Sequence, residues 1–156
     1  MLHYVTGDLL DPKFTIFCHQ VNCQGVMGGG VAKQIKDKYP NVFTAYQTRC
    51  RIQKENNKPL LGKVQWVKTP DGRLCANMFA QDRYGRDKCY TDYSAFHVCL
   101  INIIRTIEEY DMPTGVIAFP YKIGCGLAGG DWNVILPMIE EFAKRIPMDV
   151  YIVEKE

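Results

Sequence analysis

Two segments of this chain repeat one layout: an apolar run, a glycine-rich loop, then a helix-like pattern. The first runs from Phe14–Val21 through Asn22-Cys23-Gln24-Gly25-Val26-Met27-Gly28-Gly29-Gly30 into Val31-Ala32. The second runs from Thr114–Phe119 through Tyr121–Gly130, with Ile123-Gly124-Cys125-Gly126-Leu127-Ala128-Gly129-Gly130 at its heart, into Asp131-Trp132. Glycine lets the backbone turn at positive φ and approach another molecule closely. A helix that starts behind such a loop aims free N–H groups, and the positive end of its dipole, back at it. If both strands belong to one sheet, the loops meet at the carboxyl ends of the strands, where open α/β sheets form ligand crevices. Two such loops side by side are suited to the two phosphates of a pyrophosphate.

The rest of the chain supplies the elements for such a sheet. Leu2–Val5 reads as a strand, broken at Gly7-Asp8 and followed by an Asp11-Pro12 turn. Val31–Tyr39 has apolar residues at helical spacing, and Asn41–Arg51 reads as a second helix after Pro40. Lys54–Pro59 is polar and reads as a loop. Gly62–Lys68 and Arg73–Ala80 flank Pro70-Asp71-Gly72, a turn signal, and so predict a hairpin. Asp82–Thr91 reads as an exposed polar loop. Asp92–Tyr110 carries the stripe Phe96, Cys99, Leu100, Ile103, Ile104, Ile107, with Thr91 or Asp92 as its cap. Asp131–Arg145 is a helix capped by Asp131, and Asp149–Val153 a last strand. Strands alternating with helices around one hairpin predict a single α/β domain over residues 1–156, with helices on both faces of a mixed sheet of about six strands.

Composition narrows the function classes. Lys and Arg number 19 against 17 Asp and Glu, a formal charge of +2, so net charge gives no case for a nucleic acid or an anionic membrane. A modified nucleic acid stays open as a substrate. Seven cysteines with no C-x-x-C pair argue against a zinc site and against a secreted disulfide framework. No metal and no cofactor are expected. The early acidic residue Asp8 argues against a signal peptide, and no apolar run approaches the roughly 18 residues of a membrane span. The expected compartment is the reducing cytoplasm. Common nucleotide fingerprints fit poorly. Val-Ala-Lys follows Gly30 where a phosphate-binding P-loop needs Lys-Ser/Thr. Gly124, Gly126 and Gly129 do form G-x-G-x-x-G, but too few βα units follow for a dinucleotide domain.

In their order, Gly7-Asp8-Leu9, His19-Gln20-Val21-Asn22-Cys23, Gly28-Gly29-Gly30-Val31-Ala32 and Ile123-Gly124-Cys125-Gly126-Leu127 resemble the macrodomain family over nearly the whole chain. The style is that of its terminal ADP-ribose glycohydrolases, DNA ADP-ribosylation antitoxins and yeast-type ADP-ribose-1″-phosphate phosphatases. The resemblance implies a three-layer α/β/α sandwich that binds ADP-ribose, free or carried on a macromolecule, at the strand ends. It implies that Asp8 takes the adenine amino group, with Leu9 beside it. The Gly28–Gly30 loop with Val31 would wrap the distal ribose and a phosphate, and Gly124, Cys125, Gly126 and Leu127 would hold the pyrophosphate. Gln20 and Asn22 would face the ligand, Asn22 at the distal ribose. Gln81 falls where the human glycohydrolase of this family has a lysine nucleophile, and Ala128 where it has an aspartate. A lysine adduct is therefore not expected here.

Asp131, which opens a helix beside the second loop, is the best candidate base for activating a water. Asn22 joins it in the catalytic set. His19, inside an apolar strand, reads as a core histidine. Cys23 and Cys125 have no evident histidine partner and are unlike nucleophiles. In the polar loop, Arg83 and Arg86 can meet a phosphate and Tyr84 can cover the adenine or the distal ribose. Two functions remain open: a hydrolase of ADP-ribose derivatives, namely a mono-ADP-ribosyl adduct, O-acetyl-ADP-ribose or ADP-ribose-1″-phosphate, and a non-catalytic ADP-ribose reader.

Overall fold

The computed structural model describes residues 1–112 and 115–156. Six strands form one sheet: β1 (Leu2–Gly7), β2 (Ile16–Val21), β3 (Val64–Lys68), β4 (Leu74–Phe79), β5 (Val116–Pro120) and β6 (Asp149–Lys155). Their order across the sheet is β1-β6-β5-β2-β4-β3. Every neighbouring pair is parallel except β3 with β4, the hairpin expected around Pro70-Asp71-Gly72. Four helices complete the fold: α1 (Gly30–Lys38), α2 (Pro40–Glu55), α3 (Tyr93–Glu109) and α4 (Trp132–Lys144). The expected α/β class with a mixed six-stranded sheet is the observed one.

Strand alternation sorts the apolar residues into two cores, one on each face. Ile16 and Cys18 of β2, Ala76 and Met78 of β4, and Ile117 and Phe119 of β5 pack with the α3 stripe and with Ile135, Ile139 and Phe142 of α4. Phe17 and Val21, Cys75 and Phe79, and Ala118 face the other way, onto Ile35 of α1 and Val42 and Tyr46 of α2. The sheet is therefore the middle of three layers.

Some boundaries differ from expectation. β2 begins at Ile16, because Phe14 belongs to the preceding turn, where its N–H bonds the Asp11 carbonyl at 3.1 Å. α2 runs on to Glu55, through residues expected to open a polar loop; the i,i+4 pair Arg51–Glu55 at 3.3 Å lies on its exposed last turn. Asp92, rather than Thr91, caps α3, accepting from the Ala95 N–H at 2.9 Å. The expected strand start at Thr114 lies outside the described residues.

A buried polar anchor is Arg73, at 3% exposure. Its guanidinium donates to the carbonyls of Leu9, Leu10 and Phe14, each at 2.9 Å, and to the Tyr39 hydroxyl at 3.0 Å. One arginine thus fixes the whole turn that follows β1. No helix among the described residues is long and apolar enough to cross a membrane.

Candidate functional site

β2 and β5 are neighbours, so the two glycine loops leave the sheet side by side. Between them lies a cleft of two chambers. One, about 320 Å³, is walled by Asn22, Val26 and Gly28 on one side and by Tyr84, Gly85 and Arg86 on the other. The second, about 300 Å³, lies between Gly30-Val31 and Tyr121–Gly126. Gln20, Gly29, Ala32, Gln81, Leu127 and Ala128 line both. The divider is a contact between the loops: a Cβ on Gly29 would lie 2.8 Å from Leu127 Cδ1. Any larger residue there would push the leucine tip aside.

Both loops present bare backbone donors. α1 has Gly29 as its N-cap, without a side-chain capping bond. Among the described residues, the N–H groups of Gly29, Gly30 and Val31 and of Gly126, Leu127 and Ala128 have no acceptor within the protein. All six residues line the cleft at the strand ends, and bare N–H groups on such loops suit a di-anion.

Each loop has its own fixture. In the first, the Asn22 amide donates to the Val26 carbonyl at 2.8 Å, and its Oδ1 accepts from the Gln24 N–H at 2.9 Å. The hydroxyl of Tyr46, fully buried on α2, reaches the Asn22 carbonyl at 2.7 Å and Oδ1 at 2.8 Å and accepts from the Gly25 N–H at 3.2 Å. In the second, the Tyr90 N–H donates to the Ala128 carbonyl at 2.7 Å and the Thr91 hydroxyl to the Gly124 carbonyl at 2.6 Å. The Gly130 N–H closes the loop on the Gly124 carbonyl at 2.8 Å.

Gln81 is a strut. Its Oε1 accepts from Gln20 Nε2 and its Nε2 donates to the Arg83 carbonyl, both at 2.8 Å. His19, 1% exposed, bonds Asn77 through Nε2, and burial pulls its pKa from 6.5 down to about 4 against the opposing Asn77 bond. The ring is neutral at physiological pH. Burial pushes the Cys23 thiol up to about 12; burial, then the Asp131 carboxylate, pushes Cys125 up to about 11. Neither supplies a thiolate at neutral pH. Among the described residues no three or more His, Cys, Asp or Glu side chains gather as metal ligands.

The model of the macro domain matches residues 18–139. The chain belongs to that family. A DNA ADP-ribosyl glycohydrolase of Mycobacterium tuberculosis is 32% identical over 149 residues, covering 94% of this chain and 40% of its own length. The chain thus spans about two-fifths of that relative. An ADP-ribose 1″-phosphate phosphatase of Aspergillus clavatus is 46% identical, with 86% of each chain covered. The macrodomain of Mycobacterium tuberculosis DarG superposes with a TM-score of 0.80 at 29% identity, over 99% of this chain and 97% of that one.

Within this macro domain, the residues expected at the ligand fall into two groups. Gln20, Gly28, Gly29, Gly30, Val31, Gln81, Tyr84 and the Gly124–Leu127 segment all line the cleft. Asn22 lines it too, with its amide committed to its own loop. The others lie outside the two chambers. Asp8 is exposed beyond the end of β1, and its Oδ1 accepts from the Leu10 N–H at 2.9 Å. The Leu9 side chain is buried in the core on the α1 and α2 face and its carbonyl is taken by Arg73, leaving only its N–H for a ligand. Asp131 is an exposed N-cap whose Oδ1 holds the Asn133 N–H at 2.9 Å; Oδ2 has no partner among the described residues. Tyr46, Thr91 and Arg73 do not stand out in the sequence, since a polar residue signals its partner only once distant segments are brought together.

Proposed function

We propose that this macro domain binds ADP-ribose across the two chambers and hydrolyses a bond at its distal ribose. The observation that carries this reading is the set of six bare N–H groups meeting from two glycine loops at one cleft. A diphosphate beneath the Gly29–Leu127 contact places the adenosine on one side and the distal ribose on the other. Gly124–Leu127 then hold the pyrophosphate, and the distal ribose lies in the chamber of Asn22, Gly28 and Tyr84.

The relatives' names point to two of the three derivatives that fit this anchor, an ADP-ribosyl group on DNA and ADP-ribose-1″-phosphate; O-acetyl-ADP-ribose is the third. No lysine adduct is involved, because position 81 is a glutamine whose amide is already bonded at both ends. Asp131 is the proposed base. Its Oδ2 is free, and its charge reaches Cys125 in the wall of the second chamber, on the far side of the Gly29–Leu127 contact from the proposed distal-ribose site. Catalysis needs that oxygen to address a water at the distal ribose. A non-catalytic reader is the second reading. It is favoured by the position of Asp131 on the rim and by the committed amides of Asn22 and Gln81.

Turnover decides between them. Wild-type protein is to be assayed on ADP-ribosylated DNA, ADP-ribose-1″-phosphate and O-acetyl-ADP-ribose, beside Asp131→Asn. Asparagine still caps α4 but takes up no proton at neutral pH. The expected result is a loss of about 100-fold or more in kcat with ADP-ribose affinity unchanged by calorimetry. Full activity in Asp131→Asn removes the base. No turnover of any substrate by wild type leaves the reader.

A further inference from the structure

The small net charge conceals an uneven distribution. Residues 33–68, which take in most of α1 and all of α2 and β3, hold nine Lys and Arg against two Asp and Glu. The rest of the chain holds ten against fifteen. Both acidic residues of the basic stretch are spent on partners one helical turn away, Asp37 on Lys33 at 2.8 Å and Glu55 on Arg51 at 3.3 Å.

Where α2 ends, this charge lines a groove of about 370 Å³. Gln53, Lys54 and Lys58 border it from the end of α2, and Gln24 and Arg83 from two other segments. Among the described residues neither Lys54 nor Lys58 is in an ion pair. Nor do they serve as helix caps, because backbone already meets the last carbonyls of α2. The Asn56 N–H reaches Ile52 at 3.1 Å, that of Lys58 reaches Gln53 at 2.8 Å, and that of Asn57 reaches Lys54 at 3.2 Å. Asp82, the acidic residue of the lining, is occupied: Oδ1 accepts from Gln24 Nε2 at 3.3 Å and Oδ2 lies 3.9 Å from Arg83 Nε.

The groove is built from the same two segments as the chamber of the distal ribose. In the first loop, Asn22 and Val26 line the chamber, and Cys23 and Gln24 the groove. In the polar loop, Tyr84, Gly85 and Arg86 line the chamber, and Asp82 and Arg83 the groove. The ridge between them is one bond, from the Cys23 N–H to the Asp82 carbonyl at 2.9 Å. A macromolecule that carries the ADP-ribosyl group joins it at the distal ribose, and so begins beside this ridge. Unpaired cations in a groove suit the regularly spaced phosphates of a strand. Leu61 in the groove and Tyr84 across the ridge are exposed and offer apolar and aromatic surface to unpaired bases, which an acidic peptide lacks. We propose that Lys54, Lys58 and Arg83 bind the phosphate backbone of a single-stranded nucleic acid, the carrier of the ADP-ribosyl group. The inference rests on the ADP-ribose reading above and names the class of its carrier.

The test is fluorescence anisotropy of a labelled, unmodified oligodeoxythymidine of about 12 nucleotides, titrated with the full chain over a range of salt. Wild type should bind it, with affinity falling as salt rises. Lys54→Gln with Lys58→Gln should flatten the plot of log affinity against log salt by about 1.4, the share of two phosphate contacts on a single strand. Arg105→Gln with Lys144→Gln removes the same charge from the opposite face of the sheet and should leave the slope as it was. Saturating ADP-ribose should leave the strand bound, because the groove lies outside both chambers. Absence of binding by wild type, an unchanged slope in the first variant, or an equal change in the second overturns the groove. Displacement of the strand by ADP-ribose places it in the cleft instead and overturns the groove as well. Polyglutamate competing as well as unlabelled oligodeoxythymidine overturns nucleic acid as the partner. Calorimetry with ADP-ribose separates the two readings. ADP-ribose bound without the strand overturns the groove alone, and the strand bound without ADP-ribose overturns the ADP-ribose reading and leaves the groove.

Discussion

The first glycine loop is held by side chains and the second by backbone. Between Asn22 and Gly30, the fixtures are mainly side chains, the Asn22 amide, the Tyr46 hydroxyl projecting from α2 and the Gln24 amide on Asp82, with one main-chain bond from the Cys23 N–H to the Asp82 carbonyl. Between Tyr121 and Gly130, they are mostly main-chain bonds to the Tyr90–Thr91 segment and within the loop, with the Thr91 hydroxyl as a side-chain tie from outside it. The two loops meet the same need, bare N–H groups at a cleft, but they fail differently. The first is broken by removing a polar atom. The second is broken by adding an atom at its far end, where a Cβ on Gly130 would lie 2.5 Å from the Gly124 carbonyl oxygen and one on Gly129 3.1 Å from that of Lys88.

Acid is the strongest way to probe the side-chain-held half, since His19 lies on the strand that feeds it. The unfolded chain takes up a proton on this imidazole as pH falls through 6.5, while the folded protein resists until about 4. The unfolded state therefore binds more protons in that window, and stability falls with falling pH. The contribution is complete above 6.5 and is lost between 6.5 and 4. It amounts to about 3 kcal/mol. Urea denaturation of wild type and His19→Asn across that range checks it; a wild-type curve no steeper than the variant's would remove His19 as the cause.

Gly130→Ala comes next and strikes the backbone-held loop. The methyl group must displace the Gly124 carbonyl, at a cost of about 2 kcal/mol. Both thermal stability and ADP-ribose affinity should drop. A variant as stable as wild type would show that the second loop has slack the structure does not suggest.

Tyr46→Phe is the smallest change, one oxygen. It leaves the buried Gly25 N–H without its acceptor and takes one donor from Asn22, whose Oδ1 keeps the Gln24 N–H. The expected loss is about 1 kcal/mol of stability, with affinity for ADP-ribose reduced more than affinity for AMP. Equal losses for the two ligands would mean that the hydroxyl does not act through the first loop.

The contrast also marks how much of the molecule is legible in the chain. Both loops are visible as glycine clusters between an apolar run and a helical pattern, and the pattern of β2, β5, α3 and α4 yields the layered fold. The fixtures are less legible. Tyr46 reads only as one residue of the Asn41–Arg51 helix. Arg73 reads only as the first residue of a strand after a turn, yet it is buried against three carbonyls from a segment about sixty residues earlier. Thr91 reads as a helix cap and instead ties Gln20 to the second loop. Such roles depend on the pairing of distant segments, which local pattern does not encode. Asp8 and Asp131 show the converse. Their helix-end and turn positions are plain in the sequence, and the structure finds each carboxylate holding a backbone N–H on the rim rather than inside the chambers.

The Leu127 side chain lying across Gly29 separates how quickly a ligand arrives from how tightly it is held. A molecule that fills both chambers has to be threaded beneath that bridge or wait for it to swing aside. Any such delay falls on departure as much as on arrival. A half-exposed leucine at the junction of the two chambers is therefore placed to act on the rate of exchange rather than on its equilibrium.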